Sequence, residues 1–144
     1  MVDRDLVAAK LAELQDRIMR VRANCPPTLL ALAADRNALD LVSFNLMLAV
    51  QSCADIASHV IADEGWPAAV NLVSSFNRLR DEGVITAPTA AALCSAVGLR
   101  NVVAHGYAGI NPAMVYAAAT RGLPDLEGFA REVATWVAHR QNYP

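Results

Sequence analysis

The sequence lacks a Cys-x-x-Cys pair, and it lacks any uncharged apolar run of about 18 residues. Its three cysteines, Cys25, Cys53 and Cys94, are scattered, which argues against a zinc site and against a disulfide framework. The missing apolar run argues against a membrane span. The charged start Met1–Asp5 has no apolar core behind it, unlike a signal peptide. These absences predict a cytoplasmic protein.

Charge in the sequence is scarce and nearly balanced. Lysine and arginine total 12 residues, aspartate and glutamate total 14, and the net charge is -2. Lys10 is the sole lysine, so almost all positive charge is arginine. Such a balance gives the chain no global attraction for nucleic acid. The length of 144 residues and the hydrophobic content of 55% predict one domain, residues 1–144, with a real core.

Apolar residues recur at three- and four-residue steps along most of the chain, and no segment alternates as a strand would. The pattern predicts an all-α fold: a single-domain antiparallel bundle of about five helices, expected to form a two-fold dimer. The predicted helical segments are residues 3–22, 36–63, 68–81, a run from Thr86 or Thr89 into the motif described below, 113–120 and 125–140. Residues 28–34 are predicted as a short apolar helix or a turn.

The longest predicted helix, residues 36–63, has an apolar surface wider than one stripe. It is therefore expected to lie at the centre of the bundle, or to pack on a second subunit as well as on its own core. Asp35 is its predicted N-cap. The segment 121–124 is expected to end the preceding short helix before the last helix begins. Helix 68–81 is expected to face inward through Val70, Val73, Phe76 and Leu79.

Polar side chains suited to acid–base and phosphate chemistry gather in residues 100–107. Arg100 and His105 are five positions apart, which on one continuous helix sets them roughly 140° apart around the axis. They would converge on one small anion only if the helix ended or loosened between them. Because Gly106 is a plausible stop, Arg100 is predicted on the last helical turn and His105 at its end. The alternative is that both residues merely cap the helix C-terminus, where cations are favoured.

This stretch, Arg-Asn-x3-His-Gly-Tyr, resembles the signature of HEPN domains and most of all that of the HepT toxin branch. The resemblance covers roughly residues 5–138. One departure is the pair Phe44-Asn45, which stands where the family is expected to carry a basic residue. The other segments that resemble the branch are Asp55–His59, Phe76–Leu79, Glu82–Ile85, Asn111-Pro112, Val115-Tyr116 and Asp125–Phe129.

The resemblance implies a homodimeric, metal-independent endoribonuclease that serves as the toxin of a type VII-like toxin–antitoxin system. Arg100 and His105 are then the catalytic residues, and Asn101 and Tyr107 are supporting or RNA-contact residues. The implied partner is a minimal nucleotidyltransferase antitoxin, which in this family can transfer AMP to the motif tyrosine, here Tyr107. No cofactor and no metal ligand are implied. Arg78 is a further candidate RNA contact, with a solvated, ion-paired face as its alternative.

The residue types suit RNA cleavage without a metal. Histidine can act as acid or base near neutral pH, and the planar guanidinium of arginine matches phosphate oxygens. One chain offers one motif histidine, but a two-fold dimer would bring two copies of His105 and of Arg100 to one cleft. The expected product is a 2′,3′-cyclic phosphate. Asn101 could orient His105 or donate to a phosphate, and Tyr107 could stack on a base or bind phosphate.

Two other functions compete with a nuclease. One is a non-catalytic HEPN module that binds a nucleotidyltransferase partner or a nucleotide, which the acidic balance and Phe44 favour. The other is a helical dimer with a purely structural role. Asp55 and His59 share a helix face and could hold a metal, but the sequence places no third ligand, so a local ion pair or hydrogen bond is the preferred interpretation.

Overall fold

The computed structural model describes residues 2–106 and 109–140, which are largely helical and include no strand. Within these two ranges the chain forms seven α-helices, and a π-helical segment joins the last two. The elements are α1 Arg4–Asn24, α2 Leu29–Ala34, α3 Arg36–Asp63, α4 Leu72–Asp81, α5 Ala87–His105, α6 Pro112–Ala117, the π segment Ala118–Gly122 and α7 Leu123–Arg140. The predicted all-α bundle is confirmed.

Helices α1 and α3 form an antiparallel pair along their full length. Three polar contacts join them at successive levels, and the numbering rises on α1 as it falls on α3. They are Asp3 N to Asp63 Oδ2 at 3.0 Å, Lys10 Nζ to Asp55 Oδ2 at 3.7 Å, and Arg17 Nη1 to Asn45 Oδ1 at 3.1 Å. The pairing leaves one side of α3 for α5 and fixes the α3 register next to the motif.

The core lies between α1, α3, α4, α5 and α7. Phe76 of α4 meets Phe129 of α7 edge-on, with ring centroids 6.0 Å apart and an interplanar angle of 86°. Both rings are fully buried, a geometry that favours aromatic pairs beyond their area alone. The other fully buried large side chains are Leu14, Leu32, Leu46, Ile56, Leu79, Leu93, Leu123, Val21, Val42 and Val50.

Helix α3 has the bounds that its sequence pattern predicts. Asp35 caps its N-terminus by accepting the Ala38 N–H at 3.0 Å, as predicted. Both α3 and α5 are long and apolar enough to cross a membrane by length and composition. For α3, 61% of the apolar window is buried inside the protein, and the core helix of a soluble bundle passes the same test, so this is weak evidence for a membrane span.

The start of α4 corrects the predicted helix 68–81. Asn71 is the N-cap and accepts the Ser74 N–H at 2.8 Å, so the helix begins at Leu72 and residues 68–71 lie outside it. Val70 is consequently 91% exposed and Val73 is 40% exposed, whereas both were expected to face inward. Phe76 and Leu79 are buried as predicted. A capping amide thus outweighs the apolar periodicity upstream of it.

The predicted break at 121–124 is wrong. The chain passes from α6 through the π segment into α7 with helical backbone angles at Ala118 and Leu123. The wider π turn alters the hydrogen-bond ladder, and the Thr120 hydroxyl donates to the Tyr116 carbonyl at 2.7 Å. Pro124, which has no N–H to donate to the ladder, follows the π segment directly as the second residue of α7.

The three cysteines are free, as their spacing predicts. Cys53 is fully buried on α3, and burial raises the pKa of its thiol. Cys94 is only half-buried. Its Sγ lies 3.7 Å from Asn77 Oδ1, so it sits in the seam between α5 and α4.

Glu132 of α7 accepts hydrogen bonds from the N-terminus of α5. One carboxylate oxygen accepts the Thr86 N–H at 2.6 Å, and the other accepts the Thr89 hydroxyl. Burial works to raise the pKa of Glu132, but the hydrogen bonds from Thr89 and Thr86 outweigh it, so the net pKa is lowered. The ionised form of Glu132 is therefore the one that the folded state stabilises.

Glu132→Gln is expected to lower the unfolding free energy by about 1 kcal/mol at pH 7, because a charge-assisted acceptor is lost. Since the folded pKa is lowered, this contribution is complete above the ordinary carboxyl pKa and disappears as pH falls through the lowered value. Urea unfolding of both proteins between pH 7 and pH values below about 4 should therefore show the gap closing. A gap that stays constant with pH would contradict this account.

Candidate active site

Helix α5 carries the polar motif at its C-terminal end. Thr86 caps its N-terminus, and Gly106 ends it in the left-handed conformation with φ of 62° and its N–H bonded to the Val102 carbonyl at 3.1 Å. A side chain with a Cβ adopts that φ reluctantly, so glycine suits the stop. The predicted role of Gly106 is confirmed.

The helix runs without interruption through both Arg100 and His105. His105 is the last helical residue, as predicted, and its side chain is exposed. Arg100 is not on the last turn, because five residues of continuous helix separate it from that end. The two side chains therefore leave the axis roughly 140° apart. Within one chain, this backbone directs them to different sides of α5.

Arg100 is partly buried between α5 and α3. Its Nη2 donates to Gln51 Oε1 at 2.9 Å, and its Nη1 donates to Asn101 Oδ1 at 3.0 Å. Its Nε is covered and has no hydrogen-bond partner among residues 2–106 and 109–140. The capping alternative does not describe Arg100, since its guanidinium binds side-chain amides across a helix interface rather than terminal carbonyls.

A series of polar contacts on α3 and α1 supports Arg100. Gln51 Nε2 donates to Asp55 Oδ1 at 3.1 Å, and the other oxygen of Asp55 lies 3.7 Å from Lys10 Nζ. The preferred sequence interpretation paired Asp55 with His59; instead Asp55 takes Gln51 and Lys10 as partners. Sequence reasoning missed Gln51. Its signal was a lone amide inside an apolar helical run, four residues before Asp55.

Among the other predicted site residues that the structure describes, Asn101 contacts Arg100 and Arg78 pairs with a carboxylate instead. Asn101 is exposed, and its Oδ1 is engaged by Arg100, which leaves its amide N–H groups for other partners. Arg78 lies on α4 with Nη1 3.8 Å from Glu82 Oε1, which matches its ion-paired alternative. Tyr107, the predicted modification site, lies outside the described residues. No group of three His, Cys, Asp or Glu side chains suited to a metal occurs within the described part of the chain.

Arg100 and Asn101 form part of the wall of a cleft of about 550 Å³ between α3, α4 and α5. Arg78 is not among its lining residues. The cleft opens beside the α4 N-cap Asn71, so amide, hydroxyl and guanidinium groups share its surface with small apolar side chains. Its lining residues are Ser58, Ala69, Asn71, Leu72, Val73, Ser75, Val97, Arg100 and Asn101.

One face of α3 is apolar and exposed beside this centre. Leu41 is 41% exposed and Phe44 is 50% exposed, and Leu48 continues the same face toward Gln51. Phe44, the departure from the expected basic residue, thus presents a phenyl ring to the outside. We refer to Leu41, Phe44 and Leu48 as the α3 stripe.

Comparison with known proteins shows which family has a similar sequence and fold. A family model described as Ribonuclease HepT-like matches residues 14–133. The chain is 32% identical over 90 residues to the mRNA nuclease HepT of Shewanella oneidensis, which spans 62% of this chain and 68% of that protein.

Solved structures agree on the fold. The tri-AMPylated HEPN toxin of Shewanella oneidensis, in complex with MNT antitoxin, is similar with a TM-score of 0.85 and 26% identity, covering 92% of this chain and 99% of that chain. YutE of Bacillus subtilis, a cytosolic protein of unknown function, shares the fold at a TM-score of 0.83 and 13% identity, over 99% of this chain and 95% of that chain. Because the family match covers most of its length, this chain belongs to the Ribonuclease HepT-like family.

Proposed function

We propose that the protein is a metal-independent endoribonuclease that acts in the cytoplasm as the toxin of a type VII-like toxin–antitoxin system. The observation that carries the proposal is Arg100, whose guanidinium lines a cleft while bound to neutral amides. That geometry supports phosphate binding a turn and a half from a histidine at the helix end. The HepT relative, an mRNA nuclease, supports RNA as the substrate.

The proposed reaction needs a base, an acid and a cation. The base takes the proton of the 2′-hydroxyl, whose oxygen attacks phosphorus. The P–O5′ bond breaks as the acid protonates O5′, leaving a 2′,3′-cyclic phosphate and a 5′-hydroxyl. His105 supplies the acid and base chemistry, and Arg100 stabilises the charge on the phosphoryl oxygens. Asn101 supports Arg100 through its amide oxygen.

A single chain does not complete this set. It has one motif histidine, and continuous helix directs His105 and Arg100 to different sides. We therefore propose a two-fold homodimer in which the motif of each copy faces one cleft. The α3 stripe supports this assembly, because it is apolar, its Leu41 and Phe44 are exposed, and it leads toward Gln51, which binds Arg100.

The proposed antitoxin is a minimal nucleotidyltransferase, because the related HEPN toxin was solved in complex with MNT antitoxin in a tri-AMPylated state. We propose Tyr107 as the AMP acceptor, since it follows His105 by two residues. An AMP group there would add bulk and negative charge beside the catalytic histidine and would repel RNA. Arg78 is retained as a peripheral RNA contact whose ion pair with Glu82 must first open.

A second candidate is a non-catalytic HEPN module that binds the nucleotidyltransferase. The exposed Phe44, in place of an expected cation, is the observation that favours it. An apolar side chain there suits protein contact better than phosphate contact. This candidate predicts partner binding without RNA loss.

The two candidates separate in a cleavage assay with the purified chain. We expect a mixed RNA pool to be cut equally with and without EDTA, leaving 2′,3′-cyclic phosphate ends, because the proposed chemistry uses side chains alone. Gel analysis and mass spectrometry of the fragments measure both. Persistent absence of cleavage, with intact binding of a nucleotidyltransferase, would reject the nuclease and favour the binding module. Cleavage that EDTA abolishes would reject metal independence.

A further inference from the structure

Arg100 differs in its partners from five other arginines of this chain. Five arginines lie within ion-pair distance of carboxylates, whereas Arg100 forms no such pair among the described residues and donates to the amide oxygens of Gln51 and Asn101. A neutral acceptor holds a guanidinium without cancelling its charge. The ion pairs are Arg20–Asp16, Arg22–Glu127, Arg78–Glu82, Arg80–Asp81 and Arg140–Glu64.

Gln51 presents its amide oxygen to Arg100 and its NH₂ group to Asp55, and both neighbours require this orientation, because a guanidinium only donates hydrogen bonds. Ionised Asp55 only accepts hydrogen bonds, so it requires the NH₂ end of Gln51, at 3.1 Å. The other carboxylate oxygen of Asp55 lies 3.7 Å from Lys10 Nζ, so both oxygens of Asp55 face donors. The carbonyl end of Gln51 is thereby turned toward Arg100 Nη2 at 2.9 Å.

Arg100 depends on this support for its position. Asn101 is its exposed neighbour in sequence, so Gln51 is the tertiary contact that ties the guanidinium to the core helix. Arg100 Nε is covered and unpaired within the described ranges, an arrangement that a free arginine side chain would avoid. After both amide bonds, each terminal nitrogen keeps one N–H for a phosphate oxygen.

We propose that Gln51 is a positioning residue for RNA cleavage. Its amide, oriented by Asp55, holds the Arg100 guanidinium in place and leaves its charge available to the phosphate. The inference rests on the ribonuclease function proposed above and assigns to α3 a part in it. It predicts different defects for loss of the amide and for its conversion to a carboxylate.

Two variants test the two parts of the proposal. Gln51→Glu puts a carboxylate against Arg100, so cleavage should fall roughly 10- to 100-fold. Binding of 2′-O-methyl RNA should lose the equivalent of one phosphate contact, which makes the slope of log Kd against log salt shallower by about 0.7. Gln51→Ala frees the guanidinium but keeps its charge, so kcat should fall while the salt slope stays that of the wild type.

Gln15→Glu is the matched control, since it makes the same charge change on an exposed position of α1 in the groove facing α7. It should leave cleavage and slope unchanged. A purely structural role of Gln51 would lower the melting temperature and the active fraction of both variants without changing the slope.

The possible outcomes distinguish a failure of this inference from a failure of the proposed ribonuclease function. If the wild type cleaves RNA, Arg100→Ala does not, and Gln51→Ala cleaves with the wild-type kcat, the inference is overturned while the nuclease stands. A wild-type salt slope in folded Gln51→Glu overturns it as well. If the wild type itself neither binds nor cleaves RNA, the proposed function fails and the inference falls with it.

Discussion

His105→Ala is expected to abolish the growth arrest caused by the chain and to reduce RNA cleavage by roughly 10²- to 10⁴-fold, because the proposed reaction loses its acid and base together. Expressing the wild type and the variant alone, and following growth and intact RNA, measures the effect in cells. Because His105 is exposed at a helix end, its removal should leave the melting temperature nearly unchanged.

Arg100→Ala is expected to cost a similar factor, roughly 10²- to 10³-fold, through loss of charge stabilisation at the phosphoryl oxygens. It should also weaken binding of 2′-O-methyl RNA, whereas His105→Ala should leave that binding almost intact. The two variants should therefore share a loss of cleavage but differ in RNA binding.

The chain offers matched controls for both substitutions. His139→Ala removes an exposed histidine from the last turn of α7, and Arg121→Ala removes an exposed arginine from the π segment. Both should cleave RNA at the wild-type rate. If His105→Ala or Arg100→Ala also cut at that rate, the assignment of the catalytic residues is wrong, whatever RNA the protein binds.

Local signals in the sequence were enough for much of the fold. The bounds of α3 follow from Asp35 and from apolar spacing, and the end of α5 follows from Gly106. The errors come from competition between local signals. Asn71 capped α4 later than the apolar period indicated, and a π turn carried the chain through Pro124.

The site was predictable only in part. The catalytic candidates lie close together in the sequence, whereas the residue that supports Arg100 lies far from them. Arg100, Asn101 and His105 stand within six positions, and the resemblance identified them. The Gln51 contact to Arg100 spans 49 positions and depends on the register between α3 and α5. Periodicity fixes which face a residue takes, but it does not fix how two helices slide past each other.

Two neighbouring residues of α3, Phe44 and Asn45, face opposite environments. Asn45 is buried and accepts from Arg17 at 3.1 Å, so its amide serves the α1–α3 interface. Phe44, its neighbour, faces outward. Of these two residues, which stand where the family is expected to carry a cation, the outward-facing one is thus apolar. If the proposed homodimer forms through the α3 stripe, Phe44 contributes to a protein contact there rather than to a phosphate contact.

Phe44→Asp is expected to weaken the proposed homodimer by about 2–4 kcal/mol, or roughly 30- to 1,000-fold in dissociation constant. The phenyl ring, half-exposed in one chain, would be buried in the dimer, and a carboxylate there would lose water without gaining a partner. Sedimentation velocity over a concentration series measures the shift. Met19→Asp is the control, since Met19 is 67% exposed but lines the groove between α1 and α7.

The same variant tests whether dimerisation completes the active site. If two copies form one cleft, Phe44→Asp should cut poorly at low concentration and regain specific activity as concentration rises, by mass action. His105→Ala should stay inactive at every concentration, because its defect is chemical. A wild-type chain that cleaves RNA as a monomer, or a Phe44→Asp variant with a wild-type dissociation constant, would remove the α3 stripe from the mechanism. Arg100 and His105 would then have to meet by a change in α5 itself.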